Sequence, residues 1–193
     1  DLHTHTAFSL DAYFFNATND PRAAHEFAQG KDGHLPALGS DDPYTPARTV
    51  TIGRPLDFNA VTDHAEFLGG FSNTCGRNGM LQKQCDERIG KGIRDDVVNI
   101  AAGNTSLQQQ LLQSLVAFAP TNISAWHNTK QINDDEYVPC KFTTLHAYEF
   151  TSNEDSQMFH RNVIFKGDTA RIPLIVFPAV RPDTALNPQN GND

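Results

Sequence analysis

His3 and His5 stand one residue apart in Asp1-Leu2-His3-Thr4-His5-Thr6, a run that alternates as a strand does. Residues i and i+2 of a strand share a face, so the two imidazoles point at one place. That arrangement suits a borderline divalent cation such as Zn, Mn or Fe. The pair alone is a weak signal, because surface histidines with this spacing are common. The ligand types that follow give it weight. Asp11 lies six residues beyond His5, in Phe8-Ser9-Leu10-Asp11-Ala12, where its carboxylate can fold back over the histidines. Taken by itself, Asp11 reads as a loop residue capping local amides.

Asp63-His64 closes the buried-looking run Phe58-Asn59-Ala60-Val61-Thr62. Sites in α/β barrels are built at the C-terminal ends of parallel strands. Strand alternation lets only one of the two point inward, and His64 is the one expected there. Asp63 is then expected to orient a ligand from behind, as ligating histidines usually require; the competing role is an N-cap for Ala65-Glu66-Phe67.

Glu149 shares its strand face with Leu145 and Ala147, where an unpaired carboxylate is costly and metal coordination would remove the cost. His160 opens the next strand, His160-Arg161-Asn162-Val163-Ile164-Phe165, placed to meet Glu149 across the turn. Arg161 faces the other way. It is a candidate for binding an anionic substrate at the strand end, against the blander role of a solvated arginine. His146 has the wrong parity for the site and reads as structural. His25, His34 and His127 show no partner pattern. No Ser or Cys triad is visible.

The elements that must position these residues are legible in outline. Asp20-Pro21 starts a short helix through Gln29, and Gly30 stops it. Residues 31–56 read as a long loop containing a hairpin, and residues 56–62 as a strand. Residues 71–92 are polar, with at most a broken helix. From Ser106 to Ala119, Leu107, Leu111, Leu112, Leu115 and Phe118 recur at helical steps, and Pro120 is expected to end that helix. Residues 142–151 and 160–165 read as strands flanking a polar turn at 152–157. Strand, helix, strand, helix and two strands suggest an α/β layer fold.

The length of 193 residues suits one domain, and a formal charge of −8 argues against a nucleic-acid footprint. The longest apolar run, Ile172 to Val180, is interrupted by two prolines and is too short to span a bilayer. Cys75, Cys85 and Cys140 have no zinc-knuckle spacing; Cys75 and Cys85 are a candidate pair in an oxidising compartment, with isolated thiols as the alternative. Sequons at Asn16, Asn104 and Asn122 matter only in a glycosylating host.

Residues 1–6, Val61-Thr62-Asp63-His64, Tyr148-Glu149 and His160, in this order, resemble the PHP (polymerase and histidinol phosphatase) metallohydrolase superfamily. Leu10-Asp11-Ala12-Tyr13, Pro55-Leu56-Asp57-Phe58, Thr62-Asp63-His64-Ala65-Glu66-Phe67 and residues 160–165 look like its branch called domain of unknown function 3604 (DUF3604). The resemblance runs from residue 1 to about Gly167. It implies a distorted (β/α) barrel, of which this chain covers the N-terminal part. It also implies two or three divalent cations at the strand ends. His3, His5 and Glu149 would hold one, Glu149 and His160 a second, and Asp11 and His64 a third. The implied activity is hydrolysis, foremost of a phosphoester in a small molecule, by a hydroxide held at the metals. An amide hydrolase, or a non-catalytic binding or assembly module on a degenerate scaffold, are the alternatives.

The family completes its site with a histidine on a middle strand and a later Asp-x-His pair, and no histidine follows His160 here. The expectation is therefore one incomplete PHP-like domain over 1–193, with 181–193 a loop-like tail. A second polypeptide or a further C-terminal segment would complete the barrel. The first strand, functional by its third residue, is expected to have lost a leader or to begin a fragment. That opening and the Cys75/Cys85 spacing lean towards the periplasm or the cell exterior.

Overall fold

The computed structural model describes residues 1–15, 17–36, 46–75, 105–154 and 157–176. Its centre is a set of neighbouring extended segments. The N-terminal segment bridges β3 (Phe58–Ala60) in parallel through Thr4 and Val61, with Ala60 N–H donating to Asp1 O and Thr62 N–H to Thr4 O. On its other side β3 pairs in parallel with β4 (Thr143–Leu145), Phe58 opposite Thr143 and Ala60 opposite Leu145. The same register carries forward to His64 opposite Glu149. Glu149 lies on β5 (Ala147–Glu154), which forms an antiparallel hairpin with β6 (Gln157–Ile164). From β6, Asn162 Nδ2 reaches back to donate to Leu2 O at 2.9 Å, so the segments curl towards one another.

A second hairpin joins β1 (Gly33–Pro36) to β2 (Pro46–Val50), within the stretch expected to hold one. The turn expected at 152–157 is tighter than the sequence suggests, because pairing continues to Glu154 opposite Gln157.

One helix matches the sequence reading, one replaces an expected loop and one runs past its expected end. In α2 (Pro21–Ala28) the Asp20 carboxylate accepts from Ala23 N–H, Pro21 fills the first turn, and Gly30 follows at φ +91°. The segment carrying Asp11, expected to be loop, is a short helix, α1 (Leu10–Phe14). The helix expected to stop at Pro120 runs on, as α4 (Thr105–Glu136). An internal proline removes one hydrogen bond and costs about 3 kcal/mol. Beyond it, however, Ala125, Trp126, Thr129, Lys130, Ile132 and Asn133 are all buried, and that packing holds the helix. Leu107 to Phe118, whose helical spacing marks them as core, have side chains outside the described residues.

β5 is two-faced. Tyr148 and Phe150 turn to an apolar core that includes Phe8, Ala65, Leu68, Ala125, Trp126, Val163 and Phe165. Trp126 meets Tyr148 edge-on at 6.0 Å between centroids, and its Nε1–H donates to Pro173 O. Glu149 and Thr151 turn to the other side, into the site. The turn from β3 to α3 (Gly70–Cys75) passes close under α4. Gly69 has φ +63°, and a Cβ there would lie 2.5 Å from Ala125 Cβ. Only glycine fits this approach without displacement.

Cys85 lies outside the described residues, and with it the expected Cys75–Cys85 pairing; Cys140 is an exposed free thiol. Among the described residues no helix is long and apolar enough to cross a membrane.

Candidate metal centre

His3 and His5 leave the end of the N-terminal segment, His64 the end of β3, and Glu149 lies beside it on β5. His160 pairs with Thr151 on β6, diagonal to Glu149 and on its face. Alternation thus brings four imidazoles and a carboxylate together, and α1 adds Asp11. Three overlapping groups result: His3, His5 and Glu149; His5, Asp11 and His64; His64, Glu149 and His160. Within each group the ligand atoms lie no more than 4.8 Å apart.

Glu149 is the pivot and is almost fully buried. Its Oε2 lies 2.7 Å from His5 Nε2 and 3.9 Å from both His3 Nε2 and His64 Nε2. Its Oε1 lies 2.8 Å from His160 Nδ1. The close His5 contact is not aligned as a hydrogen bond, and Oε2 has no hydrogen-bond partner. A buried carboxylate oxygen without a partner is expensive. Nitrogens and oxygens converging on that atom are the donor set that a Zn, Mn or Fe ion takes.

The imidazoles are held from behind. His3 Nδ1 lies 3.0 Å from Asn162 Oδ1 and 3.2 Å from Thr62 Oγ1. Because Asn162 Nδ2 is committed to Leu2 O, its Oδ1 must accept, which puts a proton on His3 Nδ1 and turns Nε2 towards Glu149. His5 Nδ1 lies 2.7 Å from Ser9 Oγ, which also accepts from His64 N–H. Such outer partners are what orient metal-binding histidines.

Asp11 sits 3.6 Å from both His5 Nδ1 and His64 Nε2. Burial pushes its carboxyl upward, but the two histidines outweigh this and hold it well below the usual carboxylate range. For His5 and His64, burial acts to lower the pKa. The facing carboxylates, Asp11 first, prevail and raise both.

A family model described as "Protein of unknown function (DUF3604)" matches residues 1–185. The chain belongs to the DUF3604 family. Comparison with curated proteins and with solved structures gives no match.

In this DUF3604 chain the six residues expected as ligands, His3, His5, Asp11, His64, Glu149 and His160, are brought together. Asp63, expected to orient a ligand from behind, meets the residue that follows His5. Its carboxylate accepts from Thr6 N–H at 2.5 Å and Thr6 Oγ1 at 2.6 Å, so it braces the turn after His5 rather than an imidazole. Burial pushes its carboxyl up to about 6 in spite of those bonds. Arg161 is exposed, opposite Phe150 on the far face of β6, and donates to His160 O. Ser9, Thr62, Thr151 and Asn162 are not legible as site residues in the sequence. They are ordinary polar types whose partners lie far away in sequence, apart from Ser9 and His5, whose i, i+4 spacing is a faint signal.

His146, expected to be structural, and His25, which shows no partner pattern in the sequence, lie on one chain of hydrogen bonds. Thr4 Oγ1 donates to Asn59 Oδ1, and Asn59 Nδ2 lies 3.3 Å from His25 Nδ1. His25 Nε2 meets Asn133 Oδ1 at 2.6 Å, and Asn133 Nδ2 meets His146 Nδ1 at 3.1 Å. His146 Nε2 then reaches Asp134 Oδ1 at 3.2 Å. Every donor finds an acceptor when both histidines are neutral with the proton on Nε2.

Proposed function

We propose that this DUF3604 chain is a metal-dependent hydrolase of the PHP type, with two or three divalent cations held by His3, His5, Asp11, His64, Glu149 and His160. The observation that carries this reading is the buried Glu149 Oε2, ringed by three imidazole Nε2 atoms and without a hydrogen bond. The distorted barrel implied by the resemblance, and its completion by a further segment or polypeptide, belong to the same proposal.

Bound divalent cations would supply Lewis acidity and a water acidified towards neutrality. The chain itself supplies the frame. Asn162 and Thr62 hold His3 with Nε2 facing Glu149, Ser9 steadies His5, and Asp63 braces Thr6 between His5 and the core. The exposed His3 and His160 mark the open side, where a substrate would enter. Phosphoester hydrolysis is the favoured activity, because clustered cations neutralise the charge on transferring phosphoryl oxygens.

Assaying phosphomonoester, phosphodiester and amide substrates with and without Mn or Zn tests this. Cation-dependent phosphoester turnover, abolished by Glu149→Gln, is the expected result. Amide turnover alone would replace the substrate class. Cation binding without turnover of any of the three would favour a binding module, and no cation binding would overturn the reading.

A further inference from the structure

Glu66, two residues beyond His64, is left over from the ligand set, yet it lies against it. We infer that Glu66, acting through the Thr151 hydroxyl, is a positioning residue that fixes the His64 tautomer and so sets cation affinity; this rests on the cation site proposed above.

Thr151 follows Glu149 by one strand repeat on the site face of β5, and its Oγ1 is a junction. It lies 3.3 Å from Glu66 Oε2, 3.2 Å from His64 Nδ1 and 3.3 Å from His160 Nδ1. Glu66 Oε2 itself is 3.7 Å from His64 Nδ1. A hydroxyl has one proton to give, and an ionised carboxylate can only accept. The Thr151 proton therefore goes to Glu66, so in its hydrogen bond with His64 the Thr151 oxygen must accept from the imidazole. That puts the His64 proton on Nδ1. In the neutral ring Nε2 is then a bare lone pair, facing Asp11 Oδ2 at 3.6 Å and Glu149 Oε2 at 3.9 Å.

The turn that carries Glu66 is firmly held. Phe67, almost fully buried, takes φ +57°, a left-handed conformation that side chains rarely adopt, and its ring packs on Phe71. Strain of this kind persists only where the surroundings enforce it, and it collects at functional sites. A carboxylate behind a ligating histidine both orients the ring and raises its basicity, and losing such a partner typically costs 10–100-fold in metal affinity.

The test titrates the full chain with Mn²⁺ or Zn²⁺ by calorimetry, for wild type, Glu66→Gln, Thr151→Val and Thr151→Ser. Glu66→Gln and Thr151→Val are near-isosteric, so a packing role would survive both. The expected result is about tenfold or greater weakening of at least one binding step in each, with Thr151→Ser retaining wild-type affinity. The double variant Glu66→Gln/Thr151→Val is expected to be no weaker than Thr151→Val alone, because both act along one path. Wild-type affinity in both single variants would overturn the relay while leaving the cation site standing.

A second readout needs no cation. Imidazole ¹⁵N spectra, recorded well above the ordinary imidazole pKa, should show His64 protonated on Nδ1 in wild type and not in Thr151→Val. A wild-type chain that takes up no cation overturns the underlying reading, and this spectrum then decides the relay separately. Nε2 protonation of His64 in wild type would overturn it.

Discussion

Glu149 Oε2 lies 2.7 Å from His5 Nε2, deep in the protein, yet accepts no hydrogen bond from it. Glu149 Oε2 is thus a buried carboxylate oxygen without a hydrogen bond, facing an imidazole nitrogen. Removing the Glu149 charge should therefore cost more than losing an outer partner. Glu149→Gln is expected to weaken Mn or Zn binding by more than about 100-fold, beyond the range for outer-shell substitutions. Calorimetric titration of the folded variant checks this.

Cation binding should be strongly pH-dependent. The carboxylates around His5 and His64, Asp11 first, outweigh burial and raise both imidazoles above their ordinary value, so protons compete for these rings as pH falls. A cation must displace those protons. Affinity is therefore expected to fall as pH falls through the neutral range, with release of more than one proton per chain on binding. Titrations in buffers of different ionisation enthalpy count the protons; zero net release would contradict the assignment.

The buried chain through His25 and His146 predicts the opposite sense of shift. Burial lowers both, chiefly by desolvation; Asn133 acts against it at His25, and Asp134 at His146. A histidine whose folded pKa lies below its unfolded value stabilises the fold above about 6.5 and loses that contribution as pH falls. Each is expected to withdraw up to about 1.4 kcal/mol per pH unit, down to its folded pKa. Ring resonances titrating below about 6.5 would agree, and titration of either above it would refute the neutral assignment.

Gly69→Ala should destabilise the fold by about 2–4 kcal/mol, combining left-handed backbone strain with overpacking. The added methyl would meet Ala125 Cβ at 2.5 Å and disturb the seat of α4 over the 64–69 turn. Chemical denaturation measures it; a loss under about 1 kcal/mol would show that α4 yields there.

What can be read from the sequence follows the range of the forces involved. Strand alternation is local, so residue order alone puts His3 with His5, His64 over Asp63, and Glu149 over His146 on the site face. The α2 boundaries are equally legible, because Asp20, Pro21 and Gly30 act within one turn. Pro120 misleads because its local cost is offset by the burial of Trp126 and its neighbours, which no window around Pro120 contains. Asn162, Thr151 and Glu66 stay hidden for the same reason. Asn162 meets His3 across 159 residues, and Thr151 meets Glu66 across 85, so only the folded chain shows them as partners.

The central claim is that the Glu149 cluster is a site for several divalent cations. Equilibrium dialysis of the purified chain against Mn²⁺ or Zn²⁺, followed by elemental analysis, tests it most directly. The account predicts at least two ions per wild-type chain and their loss in Glu149→Gln. A folded wild-type protein that retains no stoichiometric cation, or an E149Q variant that retains the full complement, would contradict it.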